Sequence, residues 1–461
     1  MASMAGKAPG VYVQEVPAAD KPIAGVGTST AGFIGVFSES ITGEAIGTAD
    51  GTNKEFMLRS YPVVTDAGSF AIKVGDAAQS SGVTLTNDDT RKRAKVVFAQ
   101  APTAGAITAD YKIALSADPT VAAKPGEVKL CTNFTEFTKY FGDFSSLAGQ
   151  SMLAHAVYGF FNNGGTRCFV VRDISTATID ALLTKFAAID EIAIVAAPGI
   201  AEKSVRTSIY NHCQNLEDRF AIFDTGKDDL LTDIVKTSST IAPDRTTYAA
   251  LYFPWLLEFD PLAKAANPAG DGSIPVPPSG HIAGIFARVD TNRGVHKAPA
   301  NEVVLGAMGL YAAVSKIDQG GVNDQGVNCI RSLNGNILVW GARTLAGPND
   351  PDLKYINVRR LLIFLRESIE QGTQWVVFEP NSPALWQKIK RNITAFLTNV
   401  WRDGALFGDT AQQAFYVKCD AETNPPELRD IGQVVTEIGV AIVRPAEFVI
   451  FRISQWSGPP A

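Results

Sequence analysis

Three short apolar runs in the middle of the chain restrict its architecture more than any other feature. Glu191 to Ala197 reads as a strand closed by Pro198-Gly199, and a helical stretch follows from Ala201 to about Glu217. Arg219 to Asp224 is a second apolar strand, so the succession is a βαβ unit. A third run, Tyr248 to Phe253, extends it to an open α/β sheet. With 461 residues, 46% hydrophobic and 19% charged, the chain has ample core for about two to four folding units.

The character changes on either side of that sheet. From Gly43 to about Ala117, short alternating runs at 54–58, 69–74, 83–86, 95–99 and 106–113 are separated by Gly, Asp, Asn and Pro, which predicts a small inserted antiparallel β unit. Toward the C-terminus, Tyr355, Ile356, Val358, Leu361, Leu362, Leu365 and Ile369 mark a helix stopped by Gly372, and Trp375 to Phe378 reads as a strand before Pro380. A second helix starts at Ser382 as N-cap with Pro383 at the first helical position. Its apolar face is Leu385, Trp386, Ile389, Ile393, Phe396, Leu397, Val400 and Trp401. Lys388, Lys390, Arg391 and Arg402 decorate the same helix, with no acid from Ser382 to Arg402. Such a run is either a solvated helix face or an electrostatic contact with an acidic partner.

Both ends are β-rich segments on Pro- and Gly-flanked tethers: Val11, Tyr12, Val13, Gln14, Glu15 and Val16 at one, and residues 447–453, with Phe448, Val449, Ile450, Phe451 and Ile453, at the other. A terminal strand either pairs within its own chain or adds to the open edge of another subunit's sheet. The expected organisation is an N-terminal arm (1–20), the start of the core (21–43), the inserted β domain (44–116), an α/β middle domain (117–345), a C-terminal mixed α/β domain (346–445) and a C-terminal arm (446–461). The fold class is α/β (α+β), multidomain.

Charge and chemistry narrow the function. The net charge of −6 comes from 47 acids and 41 bases without a long run of either sign, which argues against a nucleic-acid binder held by phosphate contacts. The five cysteines are far apart and odd in number, as expected of reduced core thiols in a cytoplasmic folding compartment. No signal-like start and no bilayer-length apolar run is present, so a soluble protein without direct membrane insertion is expected. There is no Gly-x4-Gly-Lys-Ser/Thr loop, no His-Glu-x2-His pair and no Cys-x2-Cys. Gly25-Val-Gly27-Thr-Ser-Thr30 lacks the third glycine of a dinucleotide fingerprint and reads as a turn, as does Asn162-Asn-Gly-Gly165. His155, His212, His281 and His296 have no metal-pair spacing and read as packed or surface residues. No catalytic, metal or cofactor site is expected, and the chain reads as a structural protein.

Several segments together resemble the contractile tail sheath family of phages, R-type bacteriocins and related injection systems. Ala8-Pro-Gly-Val-Tyr-Val-Gln-Glu-Val16 is similar to that family's opening arm. GIFARVDTNRGVHKAPAN (284–301), with Arg288, Asp290 and Lys297 to Asn301, and VWGARTL (339–345) resemble its middle signatures. Residues 355–386 and Trp401 to Gly408 are similar to its C-terminal domain, and the segments occur in the family's order. The resemblance implies a subunit that polymerises helically as stacked rings around an inner tail tube and contracts to drive the tube through a cell envelope. It implies exchanged terminal strands, contacts with tail tube, baseplate and tail terminator proteins, and a place in a virion tail assembled in the bacterial cytoplasm. Lys388, Lys390, Arg391 and Arg402 are then expected to face the tube, and the β insertion the outside. Two rivals remain: another self-assembling lattice or shell protein, and an α/β nucleotide-dependent enzyme.

Overall fold

The computed structural model describes residues 22–37, 40–79, 81–91, 93–114, 123–145, 148–173, 175–236, 239, 241–347 and 350–451. The chain forms two compact units, one of residues 27–364 with 443–461 and one of residues 1–26 with 365–442.

The larger unit begins with β1 (Ala31–Val36), buried over its first five residues. The chain then runs through β2 (Ser40–Thr48), β3 (Glu55–Met57), β4 (Phe70–Val74), β5 (Ala77–Gln79), β6 (Val83–Asp88), β7 (Arg93–Phe98) and β8 (Ala106–Lys112). These form two antiparallel sheets, β2-β8-β4-β5 and β3-β7-β6. Alternation sets their faces: Ala94, Val96 and Phe98 of β7, and Ile107, Ala109 and Tyr111 of β8, are buried between more exposed neighbours. The five expected strands are all present within a residue or two. Two strands are unexpected: β5, only three residues long, and β2, whose register slips between Ile41 and Glu44 and between Ala45 and Gly47, which blurs the alternation a strand is read from.

The core resumes with β9 (Lys129–Cys131), α1 (Phe134–Phe141), α2 (Ala148–Asn162), β10 (Cys168–Asp173), α3 (Ile179–Ala187), β11 (Ile194–Ala196), α4 (Lys203–Leu216), β12 (Phe220–Asp224), α5 (Leu231–Ile234) and β13 (Ala249–Phe253). Next come β14 (Leu256–Phe259), α6 (Pro261–Ala266), β15 (Ser273–Val276), α7 (Ser279–Arg293), β16 (Glu302–Val303), β17 (Ala307–Leu310), α8 (Lys316–Asn323), β18 (Val327–Leu333) and β19 (Asn336–Val339). The βαβ unit and its third strand are where the apolar runs put them. Nine strands form one sheet in the order β16-β19-β18-β13-β12-β11-β1-β10-β9, parallel from β10 to β18 and antiparallel at both ends. Every residue of β12 and β13 is buried, the pattern of strands covered on both faces. Gly280 and Gly284 let α7 approach α2, since a Cβ on either would collide with the carbonyl of Ala156 or Phe160.

α9 (Ile356–Thr373) begins in the larger unit, and the division between units falls within it after Phe364. The smaller unit holds its second half with α10 (Pro383–Arg402), α11 (Ala411–Ala414), β20 (Phe415–Lys418), α12 (Pro426–Asp430) and β21 (Glu437–Val440). The strand expected at Trp375 to Phe378 is not formed. Gln374–Val376 is a 3-10 turn, and Val377 and Glu379 donate their N–H groups back to Gln374 and Val376. Four apolar residues between two helices have no periodicity to separate strand from turn, and local bonds take the backbone groups a strand would offer. Residues 447–451 are likewise in no strand, while 452–453 and the N-terminal arm at 11–16 lie outside the described residues.

Candidate functional site

The C-terminal segment belongs to the larger unit, and its root is fastened there. Arg444 Nη2 donates to Asp352 Oδ1 at 2.7 Å, and Asn357 Nδ2 donates to the Val443 carbonyl at 3.4 Å. Glu447 is the strongest hold. Its Oε1 accepts from Arg343 Nε at 2.8 Å and Asn323 Nδ2 at 2.9 Å, and its Oε2 from Arg343 Nη2 at 2.8 Å and Tyr355 Oη at 2.9 Å. Burial pushes the Glu447 pKa up, but these donors outweigh it and hold the carboxyl below its ordinary value. Immediately beyond, Phe448, Val449, Ile450 and Phe451 are between 67% and 85% exposed. Four consecutive large apolar side chains exposed to water form an unusual surface run.

The root of the N-terminal arm is in the other unit. Ile23 packs on Gly372 of α9, and Val26 N donates to Ser368 Oγ at 3.1 Å. Val11, Tyr12, Val13, Glu15, Val16 and Ile453 lie outside the described residues. In the same unit, β20 and β21 pair antiparallel as a sheet of only two strands, so among the described residues each strand has an unpaired long edge. Phe415 and Val417 turn inward, while Tyr416 is exposed.

α10 forms as its spacing predicts. Ser382 Oγ caps Leu385 N at 3.4 Å, Pro383 opens the helix, and Leu385, Trp386, Ile389, Ile393, Phe396, Leu397 and Val400 are buried. At roughly 100° per residue, Arg391 and Arg402 stand opposite that buried stripe, Lys388 stands about 120° from its centre, and Lys390 lies on its flank. Lys390, Arg391 and Arg402 are exposed and Lys388 is half-buried. Lys388 and Arg391 each have a partner within the chain.

The motif residues do structural work. Asp290 accepts from Arg360 Nη1 and Nη2 at 2.9 and 2.6 Å and from Thr28 Oγ1 at 2.6 Å, all but buried. Arg288 reaches the carbonyls of Asn163 and Val303 at 3.1 and 2.7 Å, and Lys297 bonds the carbonyls of Ala298 and Ala300 in its own loop. Folding also assembles a charged knot that local spacing could not reveal. His155, fully buried on α2, donates from Nδ1 to Glu258 Oε2 at 3.1 Å and from Nε2 to Asp260 Oδ2 at 3.0 Å. With a carboxylate on each nitrogen, both nitrogens donate when the ring is protonated, so the site favours the imidazolium. Burial lowers its pKa, but the two acids overcome this and hold it above the ordinary value. His281 Nε2 lies 3.6 Å from the same Glu258 oxygen.

Open α/β sheets bind ligands beyond the strand ends where the winding reverses, here beside β1 and β11. There Gly149 of α2 packs on the Val36 carbonyl and the Phe37 ring, and Met152 lies against Gly199 at the wall of a cavity of about 630 Å³ that Trp255 and Asp260 also line. Asp224, at the end of β12, accepts from Ser279 N, Ser279 Oγ and Gly199 N at 2.8, 2.6 and 3.0 Å, and burial pushes its pKa up to about 6. All five cysteines are free and buried, as expected of core thiols. Among the described residues no group of three or more His, Cys, Asp and Glu is placed to hold a metal ion, and no helix is long and apolar enough to cross a membrane.

Comparison with known proteins gives two adjoining matches within one family. The profile of the phage tail sheath protein central domain matches residues 150–345, and that of the phage tail sheath C-terminal domain matches residues 348–455. The tail sheath protein of Burkholderia phage BcepMu is 27% identical over 200 residues, 42% of this chain and 41% of that protein. The aligned stretches span 29% to 62% of the length of the curated relatives matched. Among solved structures, the anti-feeding prophage helical sheath in the contracted state superposes with a TM-score of 0.65 at 22% identity, covering 97% of this chain and 99% of that one. The sheath complex of the extracellular contractile injection system PVC, also contracted, gives 0.64 at 23% identity, covering 99% of both chains. With both sheath profiles matched in order over most of its length, the chain belongs to the contractile phage tail sheath family.

Proposed function

We propose that this protein is the structural subunit of a contractile sheath: it polymerises helically around an inner tail tube through exchanged terminal strands, and the polymer contracts to drive the tube through a target envelope. The observation that carries the reading is the mismatch between arm and sheet. Among the described residues, 448–451 expose an apolar run without a strand partner, and β20-β21 offers two unpaired edges. An extended segment satisfies such an edge by main-chain hydrogen bonds and alternate side-chain contacts. Because donor and acceptor are different patches, the contact is heterologous and propagates a helix. A strand on a flexible tether keeps subunits connected while their angle changes, as contraction requires.

The related sheaths are described as helical and as having a contracted state, which supports the same cycle here. No nucleotide is needed if the extended polymer is metastable and released at one end. Arg391, Arg402 and Lys388 face the acidic exterior of the tube, with Lys390 at the margin of the contact; each exposed pair contributes at most about 1 kcal/mol, so attachment can template the sheath and still let go. Baseplate and tail terminator proteins bound the polymer, which is assembled in the bacterial cytoplasm and works in a phage-like tail or injection device. The β insertion is carried on the outer surface.

Electron microscopy of the purified chain, alone and mixed with the neighbouring-gene tube protein, tests the proposal. Hollow tubes or a cogwheel-like layer on a narrower tube are expected. Monodisperse particles that ignore the tube at every salt concentration would refute it, and closed rings or sheets without a central tube would favour a different lattice protein.

A further inference from the structure

The C-terminal segment passes from fastened to free within one residue, and the residue at that step is Glu447. Both carboxylate oxygens take two donors each, which exhausts their lone pairs. The donors come from three separate places: Asn323 closes α8, Arg343 follows β19, and Tyr355 precedes α9. Arg343 is itself held. Its Nη1 donates to the Asn323 carbonyl at 3.1 Å and to Asp324 Oδ1 at 2.7 Å, and its backbone N–H donates to Asn328 Oδ1 at 2.7 Å. A bidentate guanidinium fork fixes direction as well as distance, which a single lysine bond does not. Glu447 and the exposed residues just beyond it, Phe448, Val449 and Ile450, line an open groove of about 1270 Å³ together with Gln319, Leu333 and Trp340.

We infer that Glu447 is the pivot of the C-terminal arm, the positioning residue that sets the point and direction from which the following residues leave their own subunit for a neighbour. The inference rests on the proposed strand donation and goes beyond it. A donated strand transmits the pull of the lattice back to its own subunit, and the load must end on groups braced within one compact unit. Arg444 holds Asp352 through a single exposed contact and cannot brace it. Glu447 is the last residue that can, and the swing of the arm during contraction turns about it.

Two insertions in the full chain separate a pivot from a mere surface tie. Gly-Gly placed between Glu447 and Phe448 leaves the carboxylate's partners in reach but lengthens the free strand by about 7 Å. Gly-Gly placed between Ala446 and Glu447 leaves the strand's distance from the carboxylate unchanged. The expected result is altered or sparse polymers from the first and wild-type polymers from the second. Glu447→Ala is expected to speed hydrogen exchange at 443–447 and raise the concentration needed for polymer, each about tenfold, with unchanged far-ultraviolet circular dichroism. If both insertions act alike, the pivot is elsewhere and the inference is overturned. A chain ending at Glu447 is run alongside: if it polymerises normally, strand donation fails and the pivot with it.

Discussion

At the scale of single residues, the largest energies lie in charges the fold has taken out of water. His155 bridges Glu258 and Asp260, which are themselves almost fully buried, and losing the protonated ring removes the cation the two acids share. His155→Gln is therefore expected to lower the unfolding free energy by roughly 3–5 kcal/mol near pH 6, read from denaturant titrations. The sign of its pH dependence follows from the raised pKa: the contribution is complete below the free-histidine value of about 6.5 and is lost as pH rises through the higher folded value. The gap between wild type and variant should be widest between about pH 5 and 6.5 and shrink toward alkaline pH. A gap that widened with pH would contradict a buried imidazolium. None of this was legible in the chain, because the partners lie 103 and 105 positions from His155. By spacing alone all four histidines read as packed or surface residues.

Elements were more legible wherever their residues answer to near neighbours. Helix α10 shows its cap, its opening proline and its apolar stripe in order, because three- and four-residue steps fall on one face. Ser382→Ala should cost about 1 kcal/mol in thermal unfolding, the usual loss for an uncapped helix start. Which of its cations share a direction needed the helical phase and the burial. Reversing Arg391 and Arg402 to Glu together is expected to abolish co-sedimentation with the tube protein at low salt, while Lys390→Glu alone weakens it only slightly. Equal effects from the flank and the opposite face would reject α10 as the attachment helix. The run Trp375 to Phe378 shows the limit of local reading: four apolar residues fit strand or turn alike, and here the N–H groups of Val377 and Glu379 bond back within the turn. β2 escaped for the related reason that two register slips broke its alternation.

On the scale of the whole molecule, the two arms are rooted in different compact units, the N-terminal one against α9 and the C-terminal one at Glu447. Shortening either arm should therefore disconnect the polymer in its own way; removal of residues 1–17 is expected to yield soluble unassembled subunits by sedimentation, and normal polymers would exclude that arm as a donor. The insertion has sheets and buried alternate faces of its own. Replacing residues 40–114 by a short Gly-Ser linker should leave a cooperative unfolding transition and tubes visible by microscopy; a folded core that no longer assembles would place the insertion within the lattice contacts instead. The sequence by itself determined the βαβ core, the inserted strands, the capped basic helix, the cysteines as core thiols and the family, since each is written in periodicity, turn residues or short ordered motifs. Only the tertiary structure decided that Asp290 meets Arg360, that His155 sits between two acids and that Arg343 fastens Glu447. Those pairs are 70 to 105 residues apart, and a charge carries no mark in the sequence of the partner that long-range packing will bring to it.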